Sequence, residues 1–510
     1  MTADFYRQPS YKWFVNATVT VGGMIFFLDA NTVPIAVPWM MASFGVDIDK
    51  IQWVVNAYMI AVAVAMPTLG WLGGRFGYKR VFIAALVFYI GGGLLCAVAT
   101  DIDFLIAFRV LQGLGAAALT TVPLAFIFDL FPLEERGMAI GYYSLGSCLP
   151  AALSPALAGY VTEHMGWPWI FYVVTPIGLL CLLASILLLK DVRSGNGLGF
   201  DFKGFIAMTG FLVTLLIALS RGQRWGWRSD YILNLLAASA IFLVLFLWWE
   251  YQSKNPLVQL SLYKSPTFLI SSLISLVFGV GFFGTNFLLP LFIQDISGYS
   301  PVQYGWLMAP GIVVLGIVSY VSGKMADRMD ARIPLAFGLL CFIGAFYWFS
   351  RLGIASGALA IIGMIVLRNL GMSFIYPPIM YVSLNSVPPS SVGLAAGLIN
   401  VIRQLGGSFG IASLSTLLER RDIFHRGVYG EALNLNSPVL QKFLFSLKSS
   451  ILFQAGGSPD QVKNQALALL IRESKRQAQI AAFDDCFYLT LFIFLATFIP
   501  TLLLKGKPRQ

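Results

Sequence analysis

Apolar stretches of 18 or more residues recur along nearly the whole chain, broken by short polar turns. A helix needs about 20 such residues to cross a bilayer. Cutting the chain on that measure predicts fourteen helices. Six fall near 15–40, 51–71, 80–99, 104–130, 137–161 and 168–189, two near 204–220 and 231–250, and six near 267–293, 303–322, 333–350, 357–382, 392–418 and 483–504. The segment 420–480 is too polar to span. From Pro459 onward it places Leu467, Leu470 and Ile471 at helical spacing, which predicts an amphipathic helix resting on the outer surface.

An internal repeat organises these blocks. Gly115 to Gly141 reads GAAALTTVPLAFIFDLFPLEERGMAIG, and a shift of 256 residues pairs Gly115 with Gly371, Pro132 with Pro388, Gly137 with Gly393 and Gly141 with Gly397. A shift of 253 pairs the turn starting at Gly70 with the one starting at Gly323. The division that follows is a six-helix half over 1–190, two inserted linker helices over 191–265, and a second six-helix half over 266–510 that carries the extracytoplasmic loop 420–480. Repeated halves related by an axis along the membrane normal are a transporter architecture, with the substrate site near the midplane between them. A repeat kept only for packing is the plainer alternative.

Composition agrees: 58% of the residues are hydrophobic and 11% charged, with a mean hydropathy of +0.77, whereas soluble domains carry about 25% charged residues. The net charge of +10 forms no long basic stripe, so nucleic acid is not an expected partner. It reports topology instead. With both tails in the cytoplasm, 17 of the 34 lysines and arginines fall in short cytoplasmic segments and 5 in short outside ones, with 3 inside helices and 9 in 420–480. The expectation is a multi-pass protein of the inner (cytoplasmic) membrane with both termini cytoplasmic. The first apolar stretch is too long for a signal-peptide core and lacks a small-residue cleavage site, so it reads as a retained helix. Cys96, Cys148, Cys181, Cys341 and Cys486 lie in or at the edges of apolar segments and read as packing residues. His164 and His425 fall between such segments, so no metal site is expected. No buried nucleophile and base cluster suggests an enzyme.

The turn GWLGGRFGYKR, Gly70 to Arg80, resembles the GxLaDRxGrr signature of the major facilitator superfamily. Gly70, Arg75 and Gly77 keep the pattern, while its acidic position is Gly74. The second copy, GKMADRMDAR from Gly323, keeps Asp327 and Arg328. If the acidic residue latches one conformation on a helix N-terminus, the latch survives only in the second half. Predicted helix four, LIAFRVLQGLGAAA, buries Arg109 and resembles the signature of proton-coupled antiporters of the superfamily. An arginine inside a span costs about 2.5–3.5 kcal/mol on insertion scales and marks a functional site by default. Tying helix four to a neighbour's carbonyls is its structural alternative. Helix one, FFLDANTVPIAVP, resembles the LDxTIVNVALP signature of the fourteen-helix, EmrB/QacA-like drug:proton antiporter family. In helix five the pattern gx8Gx3GPx2GG falls on Gly141, Pro150, Ser154, Pro155, Ala158 and Gly159, three of whose glycine positions hold other residues. The added Pro150 should kink the helix differently.

The resemblance spans nearly the whole chain and implies an all-α polytopic membrane protein of the major facilitator fold, fourteen helices as six plus two plus six. The implied function is proton-coupled export of amphipathic small molecules, of the multidrug efflux type, by alternating access. The alternative is a dedicated exporter or flippase of a lipid-like or siderophore-like metabolite, without necessary proton antiport. No cofactor beyond the proton motive force is expected. Asp29 and Arg109 are the proton-coupling candidates. Desolvation favours a neutral carboxyl and a nearby guanidinium a charged one, so their separation is expected to change between conformations. A permanently ionised pair is the other reading. Asn56, Tyr58, Asn286, Tyr376, Asn400 and Arg403 are substrate-cavity candidates, and Gly70, Arg75, Gly77, Asp327, Arg328 and Pro155 conformational-gate candidates. Arg368 takes the repeat position of Gln112. Expected partners are an amphipathic substrate and the lipid bilayer, with a periplasmic adaptor protein as candidate partner of the 420–480 segment. One proton crossing 100 mV supplies about 2.3 kcal/mol, enough for a roughly fifty-fold gradient of a neutral substrate.

Overall fold

The computed structural model describes residues 8 and 10–504 apart from 192–198, 254–255, 354–356, 433–440, 443, 447 and 450–458. Among the described residues every regular element is helical. The elements are α1 (Tyr11–Phe44), α2 (Ile48–Ile51), α3 (Trp53–Ala65), α4 (Thr68–Phe76), α5 (Tyr78–Ala97), α6 (Ile102–Leu130), α7 (Arg136–His164), α8 (Trp169–Leu188), α9 (Phe202–Trp225) and α10 (Asp230–Gln252). They continue with α11 (Pro266–Leu291), α12 (Pro301–Arg328), α13 (Arg332–Phe349), α14 (Ala358–Asn385), α15 (Val392–Ala432) and α16 (Pro459–Leu503).

Among the described residues twelve helices are long and apolar enough to cross a membrane. A thirteenth span is the pair around α3 and α4, bent by 55°. Pro67 sits at that break and cannot continue the hydrogen-bond ladder, which explains a bend the apolar run 51–71 does not announce. The expected fourteenth span is α7. Its 29 residues reach about 43 Å at 1.5 Å per residue, but its glycines, serines and alanines leave it less apolar than the others. The number fourteen is therefore met only if α7 is counted by length.

Buried apolar residues form separate cores. One draws on α1, α3–α6 and α8–α10, with Val401 of α15. A second is built entirely from α11–α16 and the turns joining them. A third lies where α6 and α7 meet α12, α14 and α15. The repeated glycines line that seam. A Cβ at Gly323 would strike the carbonyl oxygen of Gly137, and one at Gly141 would lie 2.7 Å from the Cα of Tyr320. Their repeat partners act alike: a Cβ at Gly397 would sit 2.6 Å from the carbonyl oxygen of Met66, and one at Gly70 2.7 Å from the Cα of Leu394. Backbones approach this closely only where side chains are absent.

The end of the chain differs from the sequence expectation. α15 and α16 are continuous helices of 41 and 45 residues, roughly 60 Å and 68 Å long against a hydrocarbon core of about 30 Å. Much of 420–480 therefore extends these helices. The amphipathic run from Pro459 continues directly into the last span instead of forming a separate surface helix. Arg421 Nε and His425 Nε2 reach Asp485 Oδ2 at 2.9 and 2.8 Å, and Arg476 Nη2 donates to the carbonyl of Ile296 at 2.6 Å.

Candidate functional site

Asp29 of α1 and Arg109 of α6 meet inside the first core, only 3% and 1% exposed. Arg109 Nη1 donates to both carboxylate oxygens, at 2.9 Å to Oδ2 and 3.1 Å to Oδ1, and to Gln112 Oε1 at 2.7 Å. Its Nε donates to the carbonyl oxygen of Val54 on α3 at 3.1 Å. Gln112 Nε2 lies 3.4 Å from Asp29 Oδ1. The guanidinium stacks 4.0 Å above the ring centroid of fully buried Tyr58. Both sequence readings of Arg109 therefore hold at once, since it pairs with the acid and ties α6 to a neighbouring carbonyl. Such a buried pair is costly to break, about 3–5 kcal/mol when one partner is removed. Gln112 belongs to the cluster as a third member, which its place one turn beyond Arg109 could have signalled.

The second core holds a counterpart with no acid among the described residues. Arg368 of α14 is 2% exposed. Its Nε and Nη2 donate to Thr285 Oγ1 of α11 at 3.1 and 2.8 Å. Nη2 also reaches Asn286 Oδ1 at 2.8 Å and the carbonyl oxygen of Phe282 at 3.3 Å. Thr285 lies 256 residues after Asp29, as Arg368 does after Gln112. One helix crossing thus recurs with its carboxylate replaced by a hydroxyl.

The other cavity candidates scatter. Asn56 donates to Ser220 Oγ of the inserted helix α9 at 2.8 Å, so it faces the linker pair. Tyr58 belongs to the Arg109 cluster. Asn286 is exposed and accepts from Arg368. Arg403 lies 4.9 Å from the ring centroid of Tyr376, which stacks on Phe278. Asn400 is 1% exposed and neither amide atom has a hydrogen-bond partner.

Among the gate candidates, Asp327 accepts hydrogen bonds from the backbone N–H groups of Gly137 at 2.7 Å and Met138 at 2.8 Å, at the start of α7. A carboxylate there meets the positive end of the helix. Gly74, its repeat position, has no such group. There the ring of Tyr78 covers Gly73, and its hydroxyl reaches Gly393 at the start of α15. Gly77 joins α4 to α5 at φ +90° beside the Asp191 carboxylate. Arg75 lies exposed against the rings of Trp71 and Phe76, and Arg328 is exposed at the end of α12. The side chain of Pro155 lies outside the described residues. Across the seam Arg136 Nη1 donates to Asn385 Oδ1 at 2.6 Å. A cavity of about 480 Å³ opens there among Tyr78, Asp129, Arg136, Asn385 and Gly393. No midplane candidate lines it.

A multi-pass helical bundle with a buried ion pair between its first and fourth long spans and glycine seams between repeated helices is a membrane transporter architecture. Residues 19–411 match the family model of the Major Facilitator Superfamily, and the chain belongs to that family. It is 27% identical over 475 residues to the multidrug export protein EmrB of Escherichia coli strain K12, covering 92% of this chain and 90% of that one. It is 26% identical to the uncharacterized MFS-type transporter YhcA of Bacillus subtilis strain 168, covering 92% and 89%. With the tetracenomycin C resistance and export protein of Streptomyces glaucescens it shares 29% identity over 417 residues, 81% of this chain and 77% of that one. Its fold is similar to the crystal structure of the human organic anion transporter MFSD10 (TETRAN), with TM-score 0.58, 14% identity, and 96% and 100% of the two chains covered.

Proposed function

We propose that this protein exports amphipathic small molecules across the inner membrane by alternating access, driven by inward proton movement. The observation that carries the coupling is the buried contact of Asp29 with Arg109. A proton reaching Asp29 cancels the charge that holds the guanidinium, and the pair parts. Arg109 keeps Gln112 Oε1 and the Val54 carbonyl as partners, but no counter-charge, so the parted state is poised to take the carboxylate back. α1 is then free to shift against α6. Export is supported by relatives named as export proteins that match over most of this chain.

With both termini cytoplasmic, the Gly137–Gly323 seam and the Asp327 contact lie on the cytoplasmic side, closed in this conformation. We assign Asp327 as the latch that holds it shut, and the α15–α16 extension as the face offered to a periplasmic adaptor. The test is proton flux into liposomes containing the purified protein. Amphipathic substrate should evoke proton movement in the wild type and none in Asp29→Asn. Substrate-dependent flux surviving in that variant would overturn the coupling role. Transport that persists without any proton movement would favour the dedicated exporter or flippase, which the altered α7 motif at Pro150 and Ala158 also suits.

A further inference from the structure

Charge is balanced in one repeat and unbalanced in the other. In the first, Arg109 Nη1 carries three bonds of 2.7–3.1 Å, two of them to a carboxylate. In the second, no carboxylate among the described residues pairs with Arg368, and its Nη1 carries a single long contact of 3.4 Å to Asn369 Oδ1. Asn369 is itself 3% exposed, and its Nδ2 donor, beside Gly311 of α12, has no partner. The cluster therefore holds a buried positive charge and a spare buried donor with too few acceptors. Both are costly states unless a further group completes them.

The surroundings say what shape that group's owner has. Asn286, bonded to Arg368 Nη2, is exposed and so gives access to the cation. From Phe282, whose carbonyl Arg368 also binds, an aromatic row runs through Phe278 to Tyr376, with ring centroids 5.9 and 6.1 Å apart in near-parallel stacks. Arg403, a second cation without an ion pair among the described residues, lies 4.9 Å from the centroid of the last ring. A charged anchor beside aromatic rings, of which Phe282 and Tyr376 are half-buried and Phe278 is buried between them, fits an amphiphile with an acidic head and an apolar body.

We propose that the centre of the second repeat binds the anionic group of the substrate, with Arg368 as its counter-ion and Asn286 at its entrance, so that the preferred substrates are amphipathic organic acids. The use of this site in export rests on the function proposed above, but binding can be measured without a proton gradient. Purified full-length protein would be titrated with naphthaleneacetate, its neutral amide and naphthylethylammonium, following intrinsic tryptophan fluorescence. The wild type should bind the carboxylate at least about ten-fold more tightly than the other two. Arg368→Gln should lose that preference while keeping the amide affinity, and Arg368→Lys should restore part of it. Should Arg368→Gln not fold, Thr285→Asp places an internal carboxylate at the repeat position of Asp29. It should abolish the acid preference in a protein at least as heat-stable as the wild type. Equal binding of acid and amide by the wild type, or an unchanged preference in Thr285→Asp, would overturn the assignment. Loss of proton flux with intact acid binding would instead count against the coupling reading alone.

Discussion

Burial makes Asp29 and Arg109 expensive to separate by mutation. Replacing Arg109 by alanine leaves the carboxylate without its cation and removes the Val54 tie as well, so we expect a loss of about 3–5 kcal/mol. Thermal unfolding in detergent should show it as a clear drop in midpoint, and Asp29→Asn,Arg109→Gln should recover much of the difference because it leaves no unpaired charge. Asp327 offers a separate test. Its bonds to the α7 N-terminus are of a kind worth up to about 2 kcal/mol when partly buried. Asp327→Asn should therefore lengthen the distance between spin labels at Glu134 and Lys324 in a population raised by ten-fold or more. An unchanged distance distribution would remove Asp327 from the gate. Asp29 and Arg109 were legible singly as charges inside apolar runs. Their contact, in which Arg109 Nη1 meets both carboxylate oxygens, was not, because 80 residues separate them and no spacing rule joins α1 to α6.

At the scale of elements, small residues decide how closely helices pack. α7 is not among the helices apolar enough to count as spans, yet its glycines let its backbone touch that of α12. Gly137→Leu should hold the seam open and arrest transport while leaving the helix content by circular dichroism unchanged. α15 and α16 overrun any bilayer, and the contact of Arg421 and His425 with Asp485 fastens one extension to the other. Asp485→Asn should raise the rate of limited proteolysis within 420–480 several-fold. Hydropathy located these helices well but set the start of α16 some twenty residues late, since a polar stretch that leaves the membrane as helix resembles a loop in composition.

At the scale of the whole molecule the two repeats treat their buried arginines unequally: Arg109 has a carboxylate partner and, among the described residues, Arg368 has none. If the substrate is a monovalent acid leaving as one proton enters, each cycle moves two charges in the favourable sense. At about 2.3 kcal/mol per charge per 100 mV, that provides roughly 4.6 kcal/mol, or about three decades of gradient at 1.4 kcal/mol per decade. Efflux of naphthaleneacetate from liposomes should then quicken when a potassium diffusion potential makes the lumen negative. Independence of potential would argue for an electroneutral exchange. The buried Asn400, with neither amide atom bonded, has no explanation in this conformation.

Sequence by itself determined the membrane class, the superfamily, the repeat offset of 256 residues and the identity of the charged residues inside spans. These are properties of local composition and ordered motifs, which survive without knowledge of contacts. Only the tertiary structure decided which partner each buried charge meets. It gave Arg109 a carboxylate and Arg368, among the described residues, neutral acceptors alone, turned Asn56 toward the linker helices, and set Asp327 on the start of α7. Helix crossings bring such groups together from distant parts of the chain, and inside a membrane the cost of an unpaired charge makes that pairing the property that matters.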